Sequence, residues 1–183
     1  MNSAPVKRIA KVLRTLVDIT FVCNMIALVI VPPLVYWRDN PFLLAGKQTL
    51  TGNLFFFWWE GLSKFATEPY TLMLSLFLLF SGICTAIVLR QGQRVLDTIL
   101  RGEPFSPENS TAMKRAAVCG FLISGAALVR VVFSVCYYHS LLPLTTYNAL
   151  FVPIFTMAGL LGLVMSALFR QAADMKSEND LTI

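Results

Sequence analysis

Groups able to do covalent or metal chemistry are few and poorly spaced along this chain. It has one histidine, His139, and four cysteines, Cys23, Cys84, Cys119 and Cys136, with no Cys-x-x-Cys interval. Zinc sites and disulfide frameworks need such groups in short recurring spacings, so neither a metal site nor a disulfide scaffold is expected. The thiols read as small apolar side chains. The carboxylates are scattered, and no nucleophile stands at a recognisable interval from a general base, so no catalytic residue, cofactor or enzymatic activity is expected. One residue stands apart: Arg130, a charge in the interior of the apolar stretch from about 116 to 138. A charge far from the end of a membrane helix costs about 2.5–3.5 kcal/mol on insertion scales, so it is expected to face the interior of a bundle and to have a partner there. It either pins a neighbouring helix or lines an anionic ligand site that opens outward.

The elements that must position Arg130 are membrane helices. The chain has 183 residues, 56% hydrophobic and 14% charged, with a mean hydropathy of +0.68. Soluble domains run at about 45–50% apolar and about 25% charged, so the composition is shifted toward the bilayer and away from disorder. Four apolar segments, at about 16–37, 70–89, 116–138 and 149–169, each have the length of a spanning helix, and none alternates as a barrel strand would. The expected fold is all-α, a polytopic membrane protein with four transmembrane helices in a single domain over 1–183. The cluster Lys7, Arg8, Lys11, Arg14 precedes an apolar run that is longer than a signal-peptide core and ends in Leu34, Val35, Tyr36 and Trp37. It reads as a retained helix.

Depth narrows the partner expected for Arg130. At about 1.5 Å per residue it lies roughly 21 Å from the start of its span, against roughly 18 to 20 Å for Leu28 and Val29 in the first. Their carbonyls are left without donors by Pro32 and Pro33, which makes them the expected partners. Asp18 is too shallow, and Glu68 is the alternative if the guanidinium snorkels outward.

Eleven of the fifteen lysines and arginines flank one side: the N-terminal four, Arg90, Arg94, Arg101, Lys114 and Arg115 in the 90–115 connection, and Arg170 and Lys176 in the 170–183 tail. The excess of positive charge puts both termini and that connection in the cytoplasm, an N-in/C-in threading of a cytoplasmic membrane. It also accounts for the basic pI of about 9.2 without direct nucleic-acid binding. Ala116, Gly120 and Ser124, and Ala158, Gly162 and Ser166, recur every four residues, two stripes suited to close helix approach with each other or with a second copy in a homo-oligomer. In the outside loop, 38–69, Phe55, Trp58, Trp59, Leu62 and Phe65 share one helical face and predict an interfacial helix.

The 90–115 connection carries more. Val95, Leu96, Ile99 and Leu100 continue the second helix until Gly102 stops it; Ser106 as N-cap, Pro107 in the first turn and Glu108 behind it start the next helix. The result is a helix-turn-helix elbow, with Phe105 expected as a local plug rather than a surface presented to a partner.

Gly102, Glu103, Pro104, Phe105 and Ser106, followed by Glu108, Asn109 and Met113, Lys114, Arg115, resemble the Gly-x-Pro-Phe, Asn, Leu-Arg pattern of a bacterial membrane family catalogued as domain of unknown function 2975. The closing residues Glu178, Asn179, Asp180, Leu181, Thr182 and Ile183 are similar to that family's Glu-x-Asp-Leu-Thr-Ile ending. Met113 departs from the pattern's leucine. The resemblance implies a four-helix bacterial membrane protein encoded beside a small helix-turn-helix transcriptional regulator. Gly102, Pro104, Phe105, Asn109, Glu178, Asp180 and Thr182 then become candidate cytoplasmic contacts. The net-negative tail suits attraction of a basic DNA-binding domain, and a merely solvated tail is the alternative. A regulatory membrane partner is the leading expectation, and a small transporter or channel-forming oligomer with an anionic path at Arg130 is the second.

Overall fold

In lipid a chain must satisfy its backbone hydrogen bonds within itself, and uninterrupted apolar segments of this length do so as α-helices. The computed structural model describes residues 3–38, 59 and 69–180, with the side chains of 7–30, 35, 59 and 69–179. It has four long helices: α1 (Ser3–Arg38), α2 (Pro69–Arg101), α3 (Pro107–Tyr138) and α4 (Tyr147–Asp180), with a 3-10 turn at Leu142–Thr145 between the last two. All four are long and apolar enough to cross a bilayer, and the described residues include no strand. The fold is all-α, as expected. The helices outrun their apolar cores: α2 continues from Leu89 to Arg101, and α4 runs through the segment expected as a tail as far as Asp180. Of the interfacial helix expected around 55–65, only Trp59 lies among the described residues, where it is helical and exposed.

The helices stand in a row. α1 packs on α2, α2 on α3 and α3 on α4, while among the described residues α1 meets neither α3 nor α4 and α2 does not meet α4. Exposed Val22 and Ile26 on α1, and Leu161 and Val164 on α4, give the outer helices apolar faces fit for lipid. This order corrects one expectation. The carbonyls of Leu28 and Val29 cannot hold Arg130, because α1 is separated from α3 by α2; Leu28 instead lies on α2, where a Cβ added to Gly82 would come within 2.6 Å of its Cδ2. Depth matching was sound but took no account of which helices are neighbours.

Glycine and serine bring α3 and α4 together. A Cβ on Gly120 would meet Gly159 Cα at 3.4 Å, and one on Gly162 would meet Ala117 Cβ at 3.0 Å. The two stripes therefore face each other. Gly159 and Ala117 occupy places expected of their neighbours Ala158 and Ala116. Ser110 Oγ donates to Ser166 O at 2.9 Å and Ser166 Oγ to Ser110 O at 2.8 Å; higher up, Ser124 Oγ is 2.9 Å from Val152 O. Each bond ties one helix's hydroxyl to the other's backbone, at about 1–2 kcal/mol or less in a membrane. α1 and α2 are joined at the elbow end of the row, where Arg14 donates through Nε to Asp97 Oδ1 at 2.8 Å and pairs with Asp18, which accepts from Gln93 Nε2 at 2.8 Å.

Replacing Gly162 with leucine should force α3 and α4 apart and cost about 1–3 kcal/mol, as overpacking does. Gly125, with nothing within 4 Å of an added Cβ, should accept alanine without loss. Unfolding of the purified protein by dodecyl sulfate in mixed micelles, followed by circular dichroism, reads the difference.

Candidate functional site

The far end of the row, opposite the elbow, holds a cavity of about 420 Å³ built from α2, α3, the connection between α3 and α4, and Asn148 in the first turn of α4. α2 contributes Tyr70, α3 contributes Arg130, Val131, Ser134 and Tyr138, and the connection to α4 closes it with Leu142, Pro143 and Thr146. That connection is held by its own bonds. His139 ends α3 in the left-handed conformation at φ 48, Ser140 Oγ accepts from Leu142 N at 3.2 Å, and Thr146 Oγ1 donates to Pro143 O at 2.7 Å. Tyr70 and Tyr138 meet edge to face with centroids 5.5 Å apart, at the depth where tyrosines mark a membrane interface.

Arg130 is 9% exposed, about 12 Å along α3 from Tyr138. Its Cζ lies 4.9 Å from the centroid of the Phe77 ring on α2, a cation–π contact that holds the guanidinium against the helix. Ser134 donates to the Arg130 carbonyl at 2.9 Å and leaves the guanidinium its own donors. Among the described residues no Asp or Glu lines the cavity, and the guanidinium has no ion pair or hydrogen bond. The alternative partner Glu68 lies outside the described residues. Phe77 escaped the sequence reading, although it stands about as far past Tyr70 as Arg130 stands short of Tyr138, so depth matching on α2 would have found it. The arrangement can hold an anion: a five-donor cation out of water, hydroxyls at the rim, and apolar Leu142, Pro143 and Val131 for the rest of the molecule.

At the elbow the candidate contacts divide into those that hold the turn and one that shows. Gly102 adopts φ +89, which a residue without Cβ takes at no cost, and its N–H donates to Ile99 O at 3.1 Å while that of Glu103 donates to Thr98 O at 3.0 Å. Ser106 caps α3 with its Oγ 3.3 Å from Glu108 N, as predicted. Asn109, 1% exposed, donates through Nδ2 to Pro104 O at 2.8 Å and has its Oδ1 2.8 Å from Thr98 Oγ1. Its side chain stitches the turn to α2 and is not free to meet a partner. Phe105 is 50% exposed and so is not the plug expected, since Asn109 already fills the inside of the turn. On α4, Glu178 is exposed in a helix that runs about 21 Å beyond Ser166; the side chain of Asp180 and all of Thr182 lie outside the described residues.

Fold and site together define a class, that of multi-pass helical membrane proteins with a cationic cavity at one end of the row and a capped elbow at the other. The chain belongs to the family described as "Protein of unknown function (DUF2975)", whose model matches residues 59–183 and so takes in the elbow, the cavity and α2 through α4. No curated protein and no solved structure matches it.

Asn109→Ala should cost about 1–3 kcal/mol, because it removes a fully buried side chain and its bonds to the Pro104 carbonyl and the Thr98 hydroxyl, whereas Phe105→Ala should leave stability within about 0.5 kcal/mol. Chemical unfolding of both variants beside the parent measures this.

Proposed function

We propose that this is a non-enzymatic regulatory protein of the bacterial cytoplasmic membrane that receives an amphipathic anion at Arg130 and governs a small cytosolic helix-turn-helix regulator. Both termini and the elbow then lie in the cytoplasm, as the distribution of lysine and arginine suggests. The observation that carries the reading is a nine-tenths buried arginine whose cavity is lined by no carboxylate among the described residues. Such a cation lacks much of its hydration and has the Phe77 face in return, so an anion entering the cavity gains attraction at low dielectric with no carboxylate of the described residues to displace. The mixed lining favours a molecule with one anionic group and an apolar body over a bare inorganic ion.

The regulatory half rests on other ground. Membership of the family brings with it the expectation of a neighbouring regulator, and the elbow end offers two surfaces for one: the half-exposed Phe105 and the end of α4 that projects beyond the Ser166 contact. Asp174 and Glu178 give that end acidic side chains attractive to a basic domain. Direct contact with nucleic acid is left to the regulator. A transport role is less well supported, because helices standing in a row enclose no path, and a pore would need a second copy. The absence of enzymatic activity rests on the sequence, where His139 has no nucleophile at a useful interval.

Decanoate should raise the melting temperature of the purified protein, whereas the uncharged decanol should not; Arg130→Gln should lose the decanoate shift, and Arg130→Lys should keep part of it. Equal shifts for both compounds, or a shift that survives Arg130→Gln, would overturn the ligand reading. For the partner, crosslinking in native membranes should recover a small DNA-binding protein with the intact chain and not with a chain lacking residues 176–183.

A further inference from the structure

One face of α2 changes character along its length. Ile83, Ile87, Arg90, Arg94, Thr98 and Arg101 succeed one another at intervals of four, three, four, four and three residues, which keeps them on one side of the helix over about 27 Å. At bilayer depth this side forms an open groove of about 320 Å³ with α1, walled by Phe21, Met25, Leu28, Ile83 and Ile87 and ending at Arg90 and Gln91. Toward the elbow a second cleft of about 350 Å³ lies between α2 and α3, lined among others by Gln91, Arg94, Arg101, Glu108 and Arg115. Gln91, buried in α2, belongs to both linings, so the apolar groove and the arginine-rich cleft adjoin across this residue.

The charges in the cleft do not cancel. Asp97 also lines it, but its carboxylate is held by Arg14 from α1, with Nε at 2.8 Å and Nη2 at 3.5 Å. Arg14 is shared with Asp18, so Asp97 and Glu108 both stand against Arg94, Arg101 and Arg115, and with Arg90 at the mouth of the groove the arginines remain in excess. The neighbouring contact of Arg94 is to a neutral group, Gln91 Oε1, at 3.5 Å. An apolar groove open at its side, ending at Arg90 and adjoining a cleft with an excess of arginine, matches the order of acyl chain and anionic headgroup in a phospholipid.

We propose that this face of α2 is a binding site for an anionic phospholipid of the elbow-side leaflet, with an acyl chain in the Phe21–Ile87 groove and the headgroup phosphate among Arg90, Arg94, Arg101 and Arg115. The groove confers position rather than affinity, because an acyl chain leaving the bilayer for an apolar groove exchanges one hydrocarbon surface for another. Affinity and headgroup choice come from the arginines, whose planar donors match phosphate oxygens in pairs. The site is separate from the Arg130 cavity at the other end of the row and does not depend on it.

Native mass spectrometry of the full-length protein released from non-ionic micelles tests the site with phosphatidylglycerol and phosphatidylcholine of identical chains. The parent should retain phosphatidylglycerol at least about tenfold better, and R94Q/R101Q/R115Q should lose that preference. Two further variants guard the result. K7Q/R8Q/K11Q removes the same charge from exposed positions on α1 and should bind as the parent does, while Ala86→Trp fills the groove and should expel the lipid with every arginine in place. Equal retention of the two lipids, equal weakening by both triple variants, or displacement of phosphatidylglycerol by millimolar inorganic phosphate with the groove variant binding normally would each overturn the proposal. The first two point to a diffuse surface charge, and the last to a free-phosphate site.

Discussion

The approach of α3 to α4 across Gly120, Gly159 and Gly162 is the contact on which the remaining geometry depends. Two helices in lipid gain nothing from hiding apolar side chains from each other, so association rests on close backbone packing and on hydrogen bonds between helices. Here the glycines permit the approach, and Ser110, Ser124 and Ser166 bond across it. Because the two helices are fixed along their length, the short connection between them is fixed as well. That connection, from His139 to Thr146, is the wall that turns the neighbourhood of Arg130 from an open helix face into a cavity.

α3 also links the two ends of the molecule. Asn109 in its first turn closes the elbow, and Arg130, about 32 Å along the same helix, faces the cavity. Arg130 is buried with no carboxylate beside it among the described residues, which is costly, and the Phe77 ring offsets only part of that cost, about 0.5–2 kcal/mol by the usual range for cation–π contacts. A site that served structure alone would gain from a nearby carboxylate. The elbow shows the contrast: its polar groups are closed on one another, from Gly102 N to Ile99 O and from Asn109 to Pro104 O and Thr98.

Much of this was legible in the sequence because a bilayer leaves few alternatives. Apolar segments of about twenty residues set the helices, Gly102 and Ser106 set the elbow by their capping chemistry, and the four-residue spacing of small side chains marked the α3–α4 face to within one residue. The order of the helices was not legible. Depth along a helix can be counted from sequence, but which helix stands beside which depends on summed packing that no single residue announces. Leu28 and Val29 were therefore matched to Arg130 across a gap that α2 fills. Phe105 was misread for a related reason: the inside of the turn belongs to Asn109, whose pairing with Pro104 and Thr98 joins residues on both sides of the turn. The link between Arg14, Asp18, Gln93 and Asp97 had a weak signal in two i, i+4 polar pairs, at the elbow-side ends of the apolar segments of α1 and α2.

The central claim is that Arg130, which meets the Phe77 ring but no carboxylate among the described residues, is kept so that an outside anion can pair with it. Its most direct test is a crystal structure of the full chain grown with an ω-bromo fatty acid and recorded at the bromine absorption edge. The account predicts a carboxylate within hydrogen-bond distance of the Arg130 guanidinium, with the bromine signal inside the cavity bounded by Tyr70, Leu142 and Pro143. A carboxylate of the chain itself, such as Glu68, against the guanidinium and no bromine in the cavity would contradict it and make Arg130 part of the scaffold.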